Sequence, residues 1–395
     1  MCKKLIKTQK PQTLLVTGVF FCYNINNMFN NPFPGAFGLD IGDLSVKLVQ
    51  IENQSFLKGK PVYNLKNYRS IDLPPGLIVN GELQKPEEVR RRIMYLLKGR
   101  GKEKPITSPW VVAALPETQS FIKLIKTITP ASDLIEEDIK ALAKKHIPYD
   151  DDGSYYIQWQ IMPDQENSEE KTRILIGAVP KRIADSYTYL LESLGLGVVA
   201  LEVEALSVAR AMITANKEYE NEARGLLDLG ATRSSFVVYD HDIIQFSTSL
   251  PFSGEIITTA IAQQLHITQE EAEKTKIDKG LNFQNHSGKA WNIMVEMTDQ
   301  LIKYLEDAFQ FYYTHFPEAN KITRVTMCGG GANMAMLDKT ISSRLKVIAS
   351  PGHPWKNLFS KKEIPLSPEE SLGCATAIGL ALRAADNPFY TKDVL

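Results

Sequence analysis

A chain of 395 residues exceeds one ordinary core and points to two or three domains. Hydrophobic residues make up 44% and charged ones 23%, as in soluble globular proteins, and a net charge of −1 gives no basic field to bind nucleic acid. The four cysteines, Cys2, Cys22, Cys328 and Cys374, show no CxxC spacing and no neighbouring histidine pairs, which disfavours a zinc site or disulfide framework and favours a reducing compartment.

Residues 1–35 read as an N-terminal extension. Lys3, Lys4, Lys7 and Lys10 precede the apolar run Thr13–Ile25, which is shorter than the ~20 residues that cross a bilayer and has no small-x-small cleavage site behind it. Three readings stand: a working chain that begins at Met28, a flexible or membrane-touching tail, or a secretion signal. From Phe37 to Ile51 come an apolar strand, a glycine turn with an acid, and a second strand. Val62–Ile71 is β-prone and stops before Pro74 and Pro75. Pro86–Leu97 reads as a helix with proline first, Glu87 and Glu88 in its first turn, and an apolar face through Val89, Ile93, Leu96 and Leu97. The continuous apolar run Trp110–Leu115 is expected of a buried strand. Together, residues 36–118 make a first α/β unit.

Composition changes near Gln119. Ser132 is expected to cap a helix ending about His146, followed by strands Tyr155–Ile161 and Arg173–Val179 around a polar loop, Asp164–Lys171. Pro180 then opens a helix over Lys181–Leu194. Helix, strand, strand, helix describes a small α+β insertion over residues 119–196. A second half spans 197–383: strand Val198–Glu204, helix Ala205–Met212, a hairpin over Leu226–Tyr239 and strand Ile243–Leu250. Helices Glu255–Leu265, Thr268–Lys276 and the amphipathic Met294–His315 follow. Strand Arg324–Cys328, helix Met334–Leu345 and the small-residue helix Ala375–Arg383, suited to close packing, precede a tail over 384–395.

The two hairpins carry the chemistry. Asp40 and Gly42 in the first match Asp228 and Gly230 in the second at one common offset. A glycine permits a tight turn whose amide approaches a phosphate, and Ser45 and Thr232 can donate to its oxygens. An aspartate repels phosphate and calls for a hydrated magnesium ion instead, which makes Asp40 and Asp228 the metal candidates. One such hairpin is an ordinary β-turn; two in register are not. Gly329, Gly330 and Gly331 lie at a strand-to-helix junction, with neither the lysine of a P-loop nor the spacing of a dinucleotide fingerprint, and read as a ligand loop or a tight structural turn. Glu273 and Lys276, three apart on a helix, face one ligand or form a surface pair. Glu204, between strand and helix, either orients a water or caps the helix.

In this order these motifs resemble the actin-like ATPase superfamily, and within it the PilM family of type IV pilus assembly. The marks of the family are Gly38–Val49, Leu227–Thr232, Gly254–Ala262 and Ala377–Arg383. The resemblance implies an α/β actin-like (ribonuclease H-like) fold, with two related halves around a nucleotide cleft and an insertion subdomain. It implies ATP and Mg2+ as cofactors. Asp40, Gly42, Ser45 and Lys47 would form the first phosphate loop and Asp228, Gly230 and Thr232 the second. Gly254 would close on the phosphates, Glu273 and Lys276 would flank the ribose, and Gly329 to Gly331 would lie under the adenosine. Glu204 would be the catalytic residue of an at most slow ATPase. Partners implied are the N-terminal peptide of a PilN-like membrane protein, bound between the first half and the insertion, and the pilus assembly complex, with self-association left open. The implied place is the cytoplasmic face of the inner membrane. A departure stands at Ser253, where the family has a second glycine.

The rivals fit less well. An FtsA-like protein is expected to end in a basic amphipathic helix, and Asn387–Leu395 is too short and unpatterned for one. An actin-fold small-molecule kinase needs a catalytic aspartate and a sugar pocket, for which no motif was found.

Overall fold

The computed structural model describes residues 31–54, 62–147, 154–162, 172–215, 217–282, 288–360 and 362–386. The expectations for the first 30 residues, the loop 164–171 and the tail beyond 386 lie outside the described residues.

The first half opens with strands β1 (Phe37–Ile41), β2 (Ser45–Asn53) and β3 (Tyr63–Asp72), an antiparallel meander, then a short hairpin of β4 (Ile78–Val79) and β5 (Glu82–Leu83). Helix α1 (Pro86–Lys98) starts on its proline and buries Val89, Ile93 and Leu96. Strand β6 (Trp110–Leu115) runs parallel to β1. The insertion follows as β7 (Phe121–Thr127), α2 (Glu136–His146), β8 (Tyr155–Ile161) and β9 (Thr172–Pro180). Helix α3 (Lys181–Glu192) and strand β10 (Gly197–Val203) then lead into α4 (Glu204–Met212).

The second half repeats the scheme. Strands β11 (Ala223–Leu229), β12 (Ser234–Asp240) and β13 (Ile243–Leu250) form its meander. Helices α5 (Gly254–Leu265), α6 (Gln269–Lys279) and α7 (Lys289–His315) precede β14 (Ile322–Cys328), α8 (Leu337–Leu345), β15 (Ile348–Pro351), α9 (Pro368–Leu372) and α10 (Ala375–Ala385).

One sheet has the order β10-β6-β1-β2-β3, and the other runs β15-β14-β11-β12-β13 before continuing into β7-β9-β8. Each begins with two parallel neighbours of the central strand and ends in the antiparallel meander. The duplication seen in two hairpins therefore extends over five strands of each half. The insertion joins the second half's sheet through one backbone pairing, Phe246 with Lys123.

Four local readings are revised. The strand placed at the start of the second half, β10, pairs with β6 in the first sheet. Helix α3 packs Ile183, Ala184, Tyr187, Leu190 and Leu191 into the core of β1, β2, β6 and α1, so the segment after β9 builds the first half. The insertion gains β7, whose sequence interleaves lysines with isoleucine and leucine, and Ser132 bonds only Asp133 while α2 begins at Glu136 behind Ile135.

Helix α10 sits on the first sheet beside α4 and needs small residues to do so. A Cβ on Gly38 of β1 would lie 2.6 Å from the Ala377 carbonyl oxygen, and one on Gly379 would lie 1.9 Å from the Ser207 carbonyl oxygen. The two helices touch backbone to backbone. Underneath, the buried Glu202 receives Arg210, Arg383 and Ser207, which joins β10, α4 and α10. Gly379→Ala should therefore lower the unfolding free energy in urea by ~3 kcal/mol, because the added methyl meets backbone that cannot yield.

Candidate functional site: the cleft between the paired hairpins

The two turns are tight for the same reason. Gly42 N–H donates to the Ser45 carbonyl at 2.9 Å, and a Cβ at 42 would sit 3.3 Å from that oxygen. At Gly230 a Cβ would meet the Arg233 carbonyl oxygen at 2.4 Å. Close approach, rather than a left-handed backbone, demands glycine at 230 and favours it at 42. Helix α5 is tied to the second turn: Gly254 N–H donates to Gly230 O at 3.2 Å and Glu255 N–H to Ala231 O at 2.8 Å. Ser253 Oγ accepts from Ile256 N–H at 3.3 Å, so the residue that replaces glycine is the helix N-cap.

The glycine loop closes the same cleft. Gly329 has φ +77° and donates its N–H to Leu372 O, and a Cβ on it would stand 2.4 Å from Asp228 Oδ1. Gly330 faces open space, with nothing within 4 Å of a built Cβ. This is a cradle of bare backbone beside an acid.

Four carboxylates gather there. Asp40 and Asp228 are the last residue but one of the first strand of each meander, Glu204 begins α4, and Glu117 follows β6. The surrounding walls desolvate them, although Asp40, Asp228 and Glu204 keep some exposed surface. Burial, then repulsion from Glu204 and Asp40, pushes Asp228 up to about 7. Burial pushes Glu117 up to about 7 against its bond from Ser247, with Glu204 adding to the rise. Asp40 and Glu204 are raised by burial as well, each moderated by Lys47 and Arg233. Among the described residues, no three acids converge as direct ligands of one ion. The set suits a hydrated divalent cation, which lowers the mutual repulsion from a distance and keeps its waters.

Glu204 and Glu117 exchange bonds. Glu204 accepts from Glu117 N–H at 3.4 Å and from Thr376 at 3.4 Å, while Glu117 accepts from Ala205 N–H at 3.3 Å. The helix-capping role open to Glu204 thus belongs to Glu117, and the Glu204 carboxylate is held toward the acids.

The turns also bond to each other. Asp43, 5% exposed, accepts from Asn80 N–H and Gly81 N–H at 3.1 Å each. From the opposite hairpin it accepts Thr232 Oγ1 at 3.0 Å and an Arg233 guanidinium nitrogen at 2.9 Å. Thr232, expected as a phosphate donor, spends its hydroxyl on Asp43. Ser45 Oγ accepts from Lys47 Nζ at 3.1 Å. Glu273 and Lys276 form a third group with α5: Lys276 Nζ reaches Glu273 at 2.7 Å, Thr258 at 2.9 Å and Gly254 O at 3.0 Å.

Sequence reasoning missed Asp43, Arg233 and Glu117. A signal existed for the first two: an acid in one turn and a base in its counterpart. For Glu117, distant in sequence from both hairpins, there was none.

A raised carboxylate makes ionisation costly to the folded state. Stability of the ligand-free protein should fall as pH rises from the unfolded value of ~4 through about 7, the value of Asp228 and Glu117. Asp228→Asn should flatten that fall by on the order of 2 kcal/mol, measured by urea denaturation at pH 5 and pH 8.

The type IV pilus assembly protein PilM family model matches residues 38–385. A chain of the solved PilM–PilN type IV pilus biogenesis complex superposes with TM-score 0.73 at 23% identity, covering 90% of this chain and 99% of that one. The ethanolamine utilization protein EutJ from Carboxydothermus hydrogenoformans superposes with TM-score 0.51 at 14% identity, covering 91% and 93%. No curated protein matches the chain. The fold is that of the actin-like ATPases, and the chain belongs to the PilM family of type IV pilus assembly proteins.

Proposed function

We propose that the cleft binds magnesium-ATP and that the protein is a nucleotide-dependent scaffold of type IV pilus assembly. The observation that carries this reading is the convergence of two glycine turns, a bare-backbone glycine loop and four raised carboxylates with Lys47 and Arg233 among them. Backbone amides and Lys47 would take the phosphates, while Asp40 and Asp228 would hold magnesium through its water shell. Bound magnesium would supply charge neutralisation between acids and phosphates. Gly254, Glu273 and Lys276, joined as one group beside the second turn, would lie along the ribose, and Gly329 to Gly331 under the base. Glu204 would orient a water, with hydrolysis slow at most.

Membership of the PilM family and the similarity to a chain of the PilM–PilN complex support a partner of the PilN kind. Its N-terminal peptide would dock between the first half and the insertion, holding the protein peripherally at the cytoplasmic face of the inner membrane. Among the described residues no helix is long and apolar enough to cross a membrane.

Two measurements test this reading. Labelled ATP with magnesium should bind the full chain saturably, and Asp228→Ala should weaken binding about ten-fold or more by removing one magnesium partner. Equal binding by both chains would remove the site as drawn. A peptide from the N-terminus of the cognate PilN-like protein should bind in a direct titration, and no binding with or without nucleotide would end the scaffold reading.

A further inference from the structure

At the far end of the second half's sheet from the acidic cleft, four cationic side chains meet in one cavity of about 270 Å³. Arg224 lies near the start of β11, four residues before Asp228 and so ~13 Å from it along the strand. Arg324 lies near the start of β14, and the parallel register sets it directly beside Arg224. Like charges at such paired positions repel. Lys217, in the loop after α4, and Lys356, in the turn after β15, complete the set, with Thr214 and Tyr219 on the wall.

The charge here is poorly compensated. Glu222 pairs with Arg224, also accepts from Thr323 at 2.7 Å, and feels Arg324. Among the described residues, Lys217, Arg324 and Lys356 have no carboxylate at ion-pair distance. The Tyr219 ring carries Arg224 at 4.4 Å and Lys217 at 5.2 Å, which orders both cations without neutralising either. Arg224 is 8% exposed, and its buried Nε has no hydrogen-bond partner. Lys356 donates to Met212 O at the end of α4, while burial, Arg224 and Lys217 bring it down to about 8. A cap for α4 would need Lys356 alone; it would not need two arginines alongside.

We propose that this cavity binds a phosphoryl-class dianion, supplied either as free phosphate or diphosphate or as the head of a phospholipid. Such an anion relieves the repulsion among all four cations. A phosphoryl group offers three oxygens to two guanidinium forks, where a lone carboxylate offers two. The volume lies below the ~300–1,000 Å³ of drug-sized ligand sites, which matches a small, highly charged group.

The test is calorimetric titration of sodium pyrophosphate into the full chain at low salt. Saturable binding is expected, weakened about ten-fold in Arg324→Gln and in Lys217→Gln, both exposed positions whose replacement spares the core. Lys47→Met, which removes the cleft lysine, should leave it intact. At pH 8.5 binding should take up protons onto Lys356, read as heat that depends on the buffer's ionisation enthalpy; a simple helix cap would not produce this. Sedimentation with phosphatidic acid vesicles against phosphatidylcholine vesicles separates the sources: capture that Arg324→Gln abolishes assigns the lipid head, and pyrophosphate binding without capture assigns the soluble anion. Absence of saturable pyrophosphate binding overturns the proposal. So does binding that Lys47→Met removes while Arg324→Gln and Lys217→Gln keep it, or retention of a polyglutamate peptide with no response to pyrophosphate.

Discussion

The rest of the cleft depends on one buried carboxylate shared between the halves. Asp43 takes two backbone amides from its own half and two side-chain donors, Thr232 and Arg233, from the other. A carboxylate out of water is stable only with such a complement of donors. The amides of Asn80 and Gly81 are themselves fixed, since Tyr187 donates to Gly81 O at 3.0 Å and Gly81 lies against Pro116. Arg233 in turn lies among Asp40, Glu204 and Asp228 and softens their repulsion. The bond that aligns the turns thus also sets the electrostatics between them.

Two kinds of desolvated acid coexist in this chain. Glu202 is buried too, yet Arg210 and Arg383 hold it down to about 2, and its role ends with joining β10 to two helices. Asp228, raised by burial and by repulsion from Glu204 and Asp40 with only Lys47 and Arg233 to offset them, rises to about 7. The contrast separates an acid that two arginines hold ionised from one whose bonded neighbour is the buried Cys328 thiol and which touches no cation among the described residues.

Much of the fold was legible because its signals are local. Pro86, the apolar run of β6 and the small residues of α10 each declare their element through backbone chemistry or period. The repeated Asp-x-Gly turns were legible because glycine there answers to the next carbonyl, three residues on. What escaped depends on contacts distant in sequence. Strand β7 and helix α3 look alike as insertion material, yet one joins the second sheet and the other enters the first core. Glu117 gains its role only when Glu204 and Ser247 arrive from 87 and 130 residues away. Thr232 was read as a phosphate donor, and its hydroxyl donates here to Asp43, 189 residues earlier in the chain.

The insertion's attachment has a mechanical consequence. By covalent connection it belongs to the first half, between β6 and α3, while its strands extend the second half's sheet. Along β7 and β9 the ladder runs through seven residue pairs, but from β13 to β7 it narrows to one. Side chains close that seam instead: Ile122, Leu124, Met162 and Leu175 are buried in the second half's core, Lys126 pairs with Glu318, and Lys123 lies over the rings of Phe311 and Phe316. Tied to one half by the chain and to the other by packing, the insertion could not follow a change in the angle between them without giving up one of its two attachments.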